Sequence, residues 1–141
     1  MAFMDETNEN QMLIDLPVPD SLPALRHCFV VQDRYVAQAM QYLLKQYGNP
    51  ALTIGWIADA LCISEGHLSH VFRQKTGYTL IDCLSQLRIS MAMKLLSDPS
   101  EPQKKIFEIA QAVGFRDMSY FSGCFKKRIG CTPVEYRNRL R

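Results

Sequence analysis

Two short windows of this chain carry side chains suited to a hydrogen-bonding polyanion. In the first, Gly66, Ser69, His70 and Arg73 fall on one exposed helical face, with 66, 70 and 73 in line, while Leu68, Val71 and Phe72 face a core. In the second, Met118, Ser119, Ser122, Gly123 and Lys126 make the corresponding face, with Arg116 at the helix entrance and Lys126-Lys127-Arg128 as a basic end. The chemistry on offer is that of base edges and phosphates. An imidazole donates to guanine N7 or O6, a hydroxyl bonds either way, and a guanidinium is bidentate to guanine. Phosphate contacts position a protein, a role that suits Lys126, Lys127 and Arg116; Ser119 and Ser122 suit modest base reading, and Met118 a thymine methyl. Ser64 and Thr132 open helices whose N-termini present backbone N–H groups to phosphate, and His67, beside the Ser64 cap, suits a backbone or phosphate contact. The same groups also have a bland reading, as surface histidines and a solvated basic helix end favoured by the dipole.

Both windows lie inside near-copies of one another, residues 57–72 and 109–125. Each reads as a short helix, a tight turn and a second helix, and a duplicated helix-turn-helix is by default a reader of duplex DNA. Thr53 caps a helix from Ile54 to Leu61, Cys62-Ile63 turn, and Ser64 caps a second helix that runs to Thr76 before Gly77 ends it. Small Ala58 sits where the second helix crosses closely over the first. In the second copy a helix from Lys104 to Val113 leads to a turn at Gly114, and Phe115 and Phe121 take the core roles of Ile63 and Leu68. Ala58 to Leu68 is 10 residues and Ala110 to Phe121 is 11, so the second turn is one residue longer.

The positioning elements follow from local signals. Asp33 caps a scaffold helix through Tyr47, stopped by Gly48-Asn49-Pro50; Thr79 opens a long helix with an amphipathic stripe of Leu80, Leu84, Leu87, Met91 and Leu95. Pro99 and Pro102 forbid its continuation. Thr132-Pro133-Val134-Glu135 is a capping box that opens a last short helix through Leu140. Four segments are therefore expected: a flexible acidic leader over 1–30, a first helix-turn-helix subdomain over 31–78, a linker helix over 79–97 and a second subdomain over 98–141.

With 141 residues and 48% hydrophobic content the chain can bury one core or two small ones. No apolar run approaches the roughly 18 to 20 residues that span a bilayer, and Asp5, Glu6 and Glu9 stand where a secretory signal is positive, so a cytoplasmic location is expected. Residues 1–24 hold five acids and no Lys or Arg, leaving 16 basic and 9 acidic residues beyond them, a net of +7 that favours a polyanion. The five cysteines are odd in number and lack a C-x-x-C pair, so they read as reduced packed thiols, with Cys62 and Cys124 buried. A thiol switch on Cys124 and Cys131 has only Lys127 and Arg128 to support it. His27, His67 and His70 lack ligand partners at metal spacing, and no cofactor is implied. Tyr35, Trp56, Phe72, Phe107 and Phe121 are expected in the core. No nucleophile, base and orienter set and no phosphate-binding glycine loop point to an enzyme.

From about Tyr35 to Arg139 the chain resembles the DNA-binding region of the AraC/XylS family of bacterial transcription regulators. The resemblance is most specific at Ile109-Ala110, Val113-Gly114-Phe115, Ser119-Tyr120-Phe121, Phe125-Lys126 and Gly130-Cys131-Thr132-Pro133-Val134-Glu135-Tyr136-Arg137. It implies an all-α fold of two homeodomain-like three-helix units joined by a long helix, with recognition helices in successive major grooves of promoter DNA. It also implies activation through RNA polymerase. Mapped residue by residue, Gly66, Ser69 and His70 fall on base-reading positions and Arg73 on a phosphate or guanine edge. There are two departures: a connector between Leu96 and Ile109 about three residues longer than the family's usual form, and glycine at 66 and 123, where no side chain can read a base. These glycines keep open an alternative, a partner-binding antagonist or a non-specific DNA binder. Many such regulators carry an effector-binding or receiver domain ahead of this module, so the chain is either a small regulator or the DNA-binding part of a longer protein.

Overall fold

The computed structural model describes residues 21–140, and among them there are eight helices and no strand. They are α1 (Pro23–Cys28), α2 (Arg34–Gln46), α3 (Ile54–Ala60), α4 (Glu65–Thr76), α5 (Leu80–Leu96), α6 (Ile106–Ala112), α7 (Met118–Ile129) and α8 (Pro133–Arg139). The fold is all-α, with α2, α3 and α4 as one three-helix unit, α6, α7 and α8 as the other, and α5 between them. The caps lie where residue chemistry puts them. Asp33 Oδ1 accepts from the Tyr35 and Val36 amides, Thr53 from Trp56, Ser64 from His67 and Thr79 from Asp82, at 2.9 to 3.1 Å. At α8 the box is reciprocal: the Glu135 amide donates to Thr132 Oγ1 at 3.2 Å and the Thr132 amide to Glu135 Oε1 at 3.3 Å.

The acidic leader expected over 1–30 is in part a structured element. Residues 1–20 lie outside the described residues, but α1 buries Leu22, Ala24, Leu25 and Cys28 against α4 and α5. Its N-cap is Leu22, which has no capping side chain; instead the Leu25 amide donates to Gln86 Oε1 on α5 at 3.1 Å. Gln86 is itself buried. A polar group from another helix thus does the work of a cap.

α5 also differs from its expected one-sided stripe. Leu80, Leu84, Leu87 and Met91 are buried, but so are Cys83, Gln86, Ile89, Ser90, Ala92, Met93 and Leu96, while Leu95 is half-buried. Burial over most of its surface follows from its place, since α1, α2 and α4 pack on one part of it and α6, α7 and α8 on another, leaving Ile81 58% exposed. It is the common core of both units rather than a spacer.

The units also meet directly, backbone on backbone. A Cβ on Gly48 would lie 2.9 Å from the Ala112 carbonyl oxygen, and one on Gly114 would collide with the Tyr47 carbonyl oxygen and sit 2.7 Å from Arg88 Nε. Gly114 has φ +99°, so glycine is required there twice over. Arg88 of α5 closes this seam, donating from Nε to the Tyr47 carbonyl at 2.8 Å and from Nη2 to the Asn49 carbonyl at 2.9 Å. These carbonyls lie at the C-terminal end of α2, where the helix dipole welcomes a cation. Burial pulls the Arg88 pKa down, a sign of how far its charge is withdrawn from water. In the second unit Arg137 of α8 donates to the Lys104 carbonyl, fastening α8 to the loop that leads into α6.

Gly114→Ala is expected to cost at least about 2 kcal/mol in urea unfolding, from the left-handed backbone and the collision together. Arg88→Ala is expected to cost about 2 to 3 kcal/mol by stranding two carbonyls of a charge-assisted pair. Wild-type stability in either variant would contradict the seam.

Candidate nucleic-acid interface

The two helix-turn-helix units repeat down to single hydrogen bonds. The Ile63 amide returns to the Ala58 carbonyl at 3.1 Å, and the Phe115 amide returns to the Ala110 carbonyl at 2.9 Å. Cys62 at φ +59° and Gly114 at φ +99° are the left-handed residues of the two turns. Cys62 is exposed, contrary to the buried thiol expected from sequence: at the tip of the turn its side chain points to solvent, and Ile63 takes the inner place. Cys124 is half-buried. Trp56 and Phe107, expected in the core, are 39% and 48% exposed, because Ile57 and Ala58 on α3 and Ile109 and Ala110 on α6 occupy the inner faces. Phe72 and Phe121 are fully buried, and Tyr35 is half-buried.

With Leu68 and Phe72 anchoring α4, and Phe121 and Phe125 anchoring α7, the outer faces correspond position by position. Gly66 matches Ser119, Ser69 matches Ser122, His70 matches Gly123 and Arg73 matches Lys126. On α4, Gly66, His67, His70 and Arg73 are exposed and Ser69 is half-buried. On α7, Met118, Ser119, Gly123, Lys126 and Lys127 are exposed, Ser122 is half-buried, and Arg116 is exposed just before the helix. The residues singled out within α4 and α7 therefore lie on the outer sides of two equivalent helices, with Ser69 and Ser122 half-buried, while Ser64 and Arg116 lie just ahead of them. Tyr120 was missed: it matches His67 and is 62% exposed. The repeat itself was the signal that could have found it.

Each face carries one carboxylate at its N-terminus, differently placed: Glu65 in the first turn of α4 and Asp117 as the cap of α7. Ser64 is neutral; its Oγ accepts the His67 amide and keeps a hydroxyl proton to donate outward. Asp117 caps α7 through Oδ1 at 2.9 Å from the Tyr120 amide, so a carboxylate already neutralises that helix end. Cations gather instead at the C-terminal end of α7. Arg128 reaches toward Asp82 of α5 at 3.8 Å, which leaves Lys126 and Lys127 as the exposed charges. His67 rests edge-on against the Tyr35 ring, centroids 5.8 Å apart, which fixes its outward direction.

Gly66 and Gly123 are free of steric demand: a Cβ on either would meet nothing within 4 Å. The fold does not require glycine there, and in a helix interior it costs about 0.5 to 1 kcal/mol relative to alanine. Among the described residues no three His, Cys, Asp or Glu side chains gather as a metal site would need, and no helix is long and apolar enough to cross a membrane.

A family model described as a helix-turn-helix domain matches residues 57–139. The chain is 37% identical over 105 residues to the arabinose operon regulatory protein of Escherichia coli K12, covering 74% of this chain and 35% of that protein. It is 33% identical over 127 residues to the HTH-type transcriptional activator RhaR of Klebsiella pneumoniae, covering 86% and 44% of the two. It thus spans less than half the length of either relative. Among solved structures, the C-terminal domain of AraT, a response regulator from Geobacillus stearothermophilus, superposes with a TM-score of 0.70 at 34% identity, over 76% of this chain and 86% of that one. The duplicated turn, the central helix shared by both units and these matches agree: the chain belongs to the AraC/XylS family of helix-turn-helix DNA-binding regulators.

Proposed function

We propose that this chain activates transcription by binding a bipartite promoter site, with α4 and α7 entering successive major grooves on one face of the duplex. The observation that carries this reading is the pair of equivalent outward faces fastened to one central helix. Base edges are read by the faces holding Gly66, Ser69 and His70 on α4 and Met118, Ser119, Ser122 and Gly123 on α7. His70 is the principal donor to guanine and Met118 the apolar contact for a thymine methyl. Ser64, His67, Arg73, Arg116, Lys126 and Lys127 hold phosphates. The absence of a side chain at Gly66 and Gly123 lets the helix backbone approach the groove more closely. Activation runs through contact with RNA polymerase in the cytoplasm; if the chain is the DNA-binding part of a longer protein, an effector-binding or receiver domain there would govern it.

A second reading, a non-specific binder or antagonist with blunted base readout, has one observation in its favour: two glycines on the reading faces that the fold does not demand. Selection of bound duplexes from a random 30-base-pair pool near physiological salt separates the two. The activator reading predicts two short enriched motifs about one helical turn apart, roughly 34 to 36 Å. Affinity that falls steeply with salt but enriches no sequence would support the second.

On the selected site, His70→Ala is expected to relax preference at particular bases and to cost about 1 to 3 kcal/mol, whereas Lys126→Ala should weaken all sequences and lower the salt slope by about one. Identical behaviour of the two variants in a titration across salt would refute the division of roles. Gly123→Ala should raise the stability of the free protein by about 0.5 to 1 kcal/mol while weakening duplex binding. If binding is unchanged, close approach at that position is wrong.

A further inference from the structure

The five thiols are not scattered as the sequence suggests. Cys28 on α1 and Cys83 on α5, 55 positions apart, lie with their sulfurs 2.8 Å from each other in the core. Both are buried. A disulfide bond is about 2.05 Å long, so closing this one asks for only a small side-chain movement. The pair sits behind the first recognition helix, since α1 packs on both α4 and α5 and His27 of α1 stacks obliquely on Tyr78 just past the end of α4, centroids 6.0 Å apart.

We propose that Cys28 and Cys83 form a reversible intrachain disulfide, made by hydrogen peroxide, that clasps α1 to the central helix behind the first reader. Cys28 ionises first: the Cys83 thiol beside it stabilises the thiolate and holds its pKa below that of a free thiol, while Cys83 is pushed up by that same neighbour and by burial. The Cys28 thiolate attacks one peroxide oxygen, the O–O bond breaks, and the departing hydroxide takes up the proton Cys28 gave up. This leaves a sulfenic acid and one water. The Cys83 sulfur then attacks Cys28 Sγ and forms the S–S bond. The sulfenic oxygen leaves with the Cys83 proton as a second water. Two thiols are oxidised and one peroxide is reduced to two waters; two small thiols, or one dithiol, reverse the step by exchange and are left as their own disulfide.

Access comes from α1 itself. A six-residue helix cannot sustain itself in isolation, so local opening admits the oxidant and oxidation closes the door behind it. Exposed Cys62 meets peroxide sooner, whereas the adjoining sulfurs of Cys28 and Cys83 supply the resolving thiol that a sulfenic acid needs.

The test treats the full chain with hydrogen peroxide and maps it after non-reducing digestion. The expected result is a Cys28–Cys83 linked peptide pair lighter by two hydrogens, a melting temperature raised by about 10 °C, reversal of both by dithiothreitol, and loss of both in Cys28→Ser. Recovery of Cys28 and Cys83 as alkylatable thiols after unfolding, or a linked pair with no rise in melting temperature, would overturn the proposal.

Discussion

Backbone meets backbone where the loop after α2 crosses the turn between α6 and α7, and the rest of the molecule is arranged around that crossing. Neither Gly48 nor Gly114 can carry a side chain without displacing a carbonyl of the other unit. The carbonyls brought together there need a donor, and Arg88 supplies it from the middle of α5. A half-buried cation is costly unless its donors are used, so the same contact that fixes the seam also accounts for the arginine. Two units that share a central helix and a backbone seam have little freedom to rotate against each other. Their recognition helices therefore present a fixed separation to a partner.

That rigidity bears on how binding energy is divided. A flexible pair of readers would bind two half-sites as tethered modules, with an effective concentration set by the linker. A rigid pair gives up no linker entropy on engaging the second half-site, but it rejects any duplex in which the second groove is out of phase. Fixed spacing then contributes specificity of its own, which matters more when two of the proposed reading positions hold glycine and cannot discriminate through a side chain. Charge plays the complementary part: Lys126, Lys127, Arg73 and Arg116 are exposed, suited to attraction and anchoring rather than to reading sequence.

What the sequence made legible was what is encoded locally. Caps at Asp33, Thr53, Ser64, Thr79 and Thr132, the glycine stop at 77 and the duplicated turn depend on residues within a few positions of one another. α1 was missed because its N-terminal donor is satisfied by Gln86, 61 residues away, and nothing next to Leu22 announces a helix. The stripe on α5 was visible, but a stripe assumes one packed face, and only the tertiary arrangement puts helices on several faces of it. Cys62 misled because a thiol in a turn looks apolar, whereas its left-handed backbone turns it outward. Outward faces could be assigned from periodicity; the seam could not, since Gly48 and Gly114 each look like an ordinary helix stop or turn until brought together.

The central claim, that the two readers are held at one separation, is tested most directly by lengthening the selected duplex site between its halves. Affinity would be measured with 0 to 5 base pairs inserted, wild type beside Gly114→Ala. The account predicts a loss of at least about tenfold for the wild type at the first inserted pair, as the second half-site moves out of phase and its contacts vanish. Affinity that stays level across the series would mean the units turn freely, and the seam would not be what sets the geometry of binding.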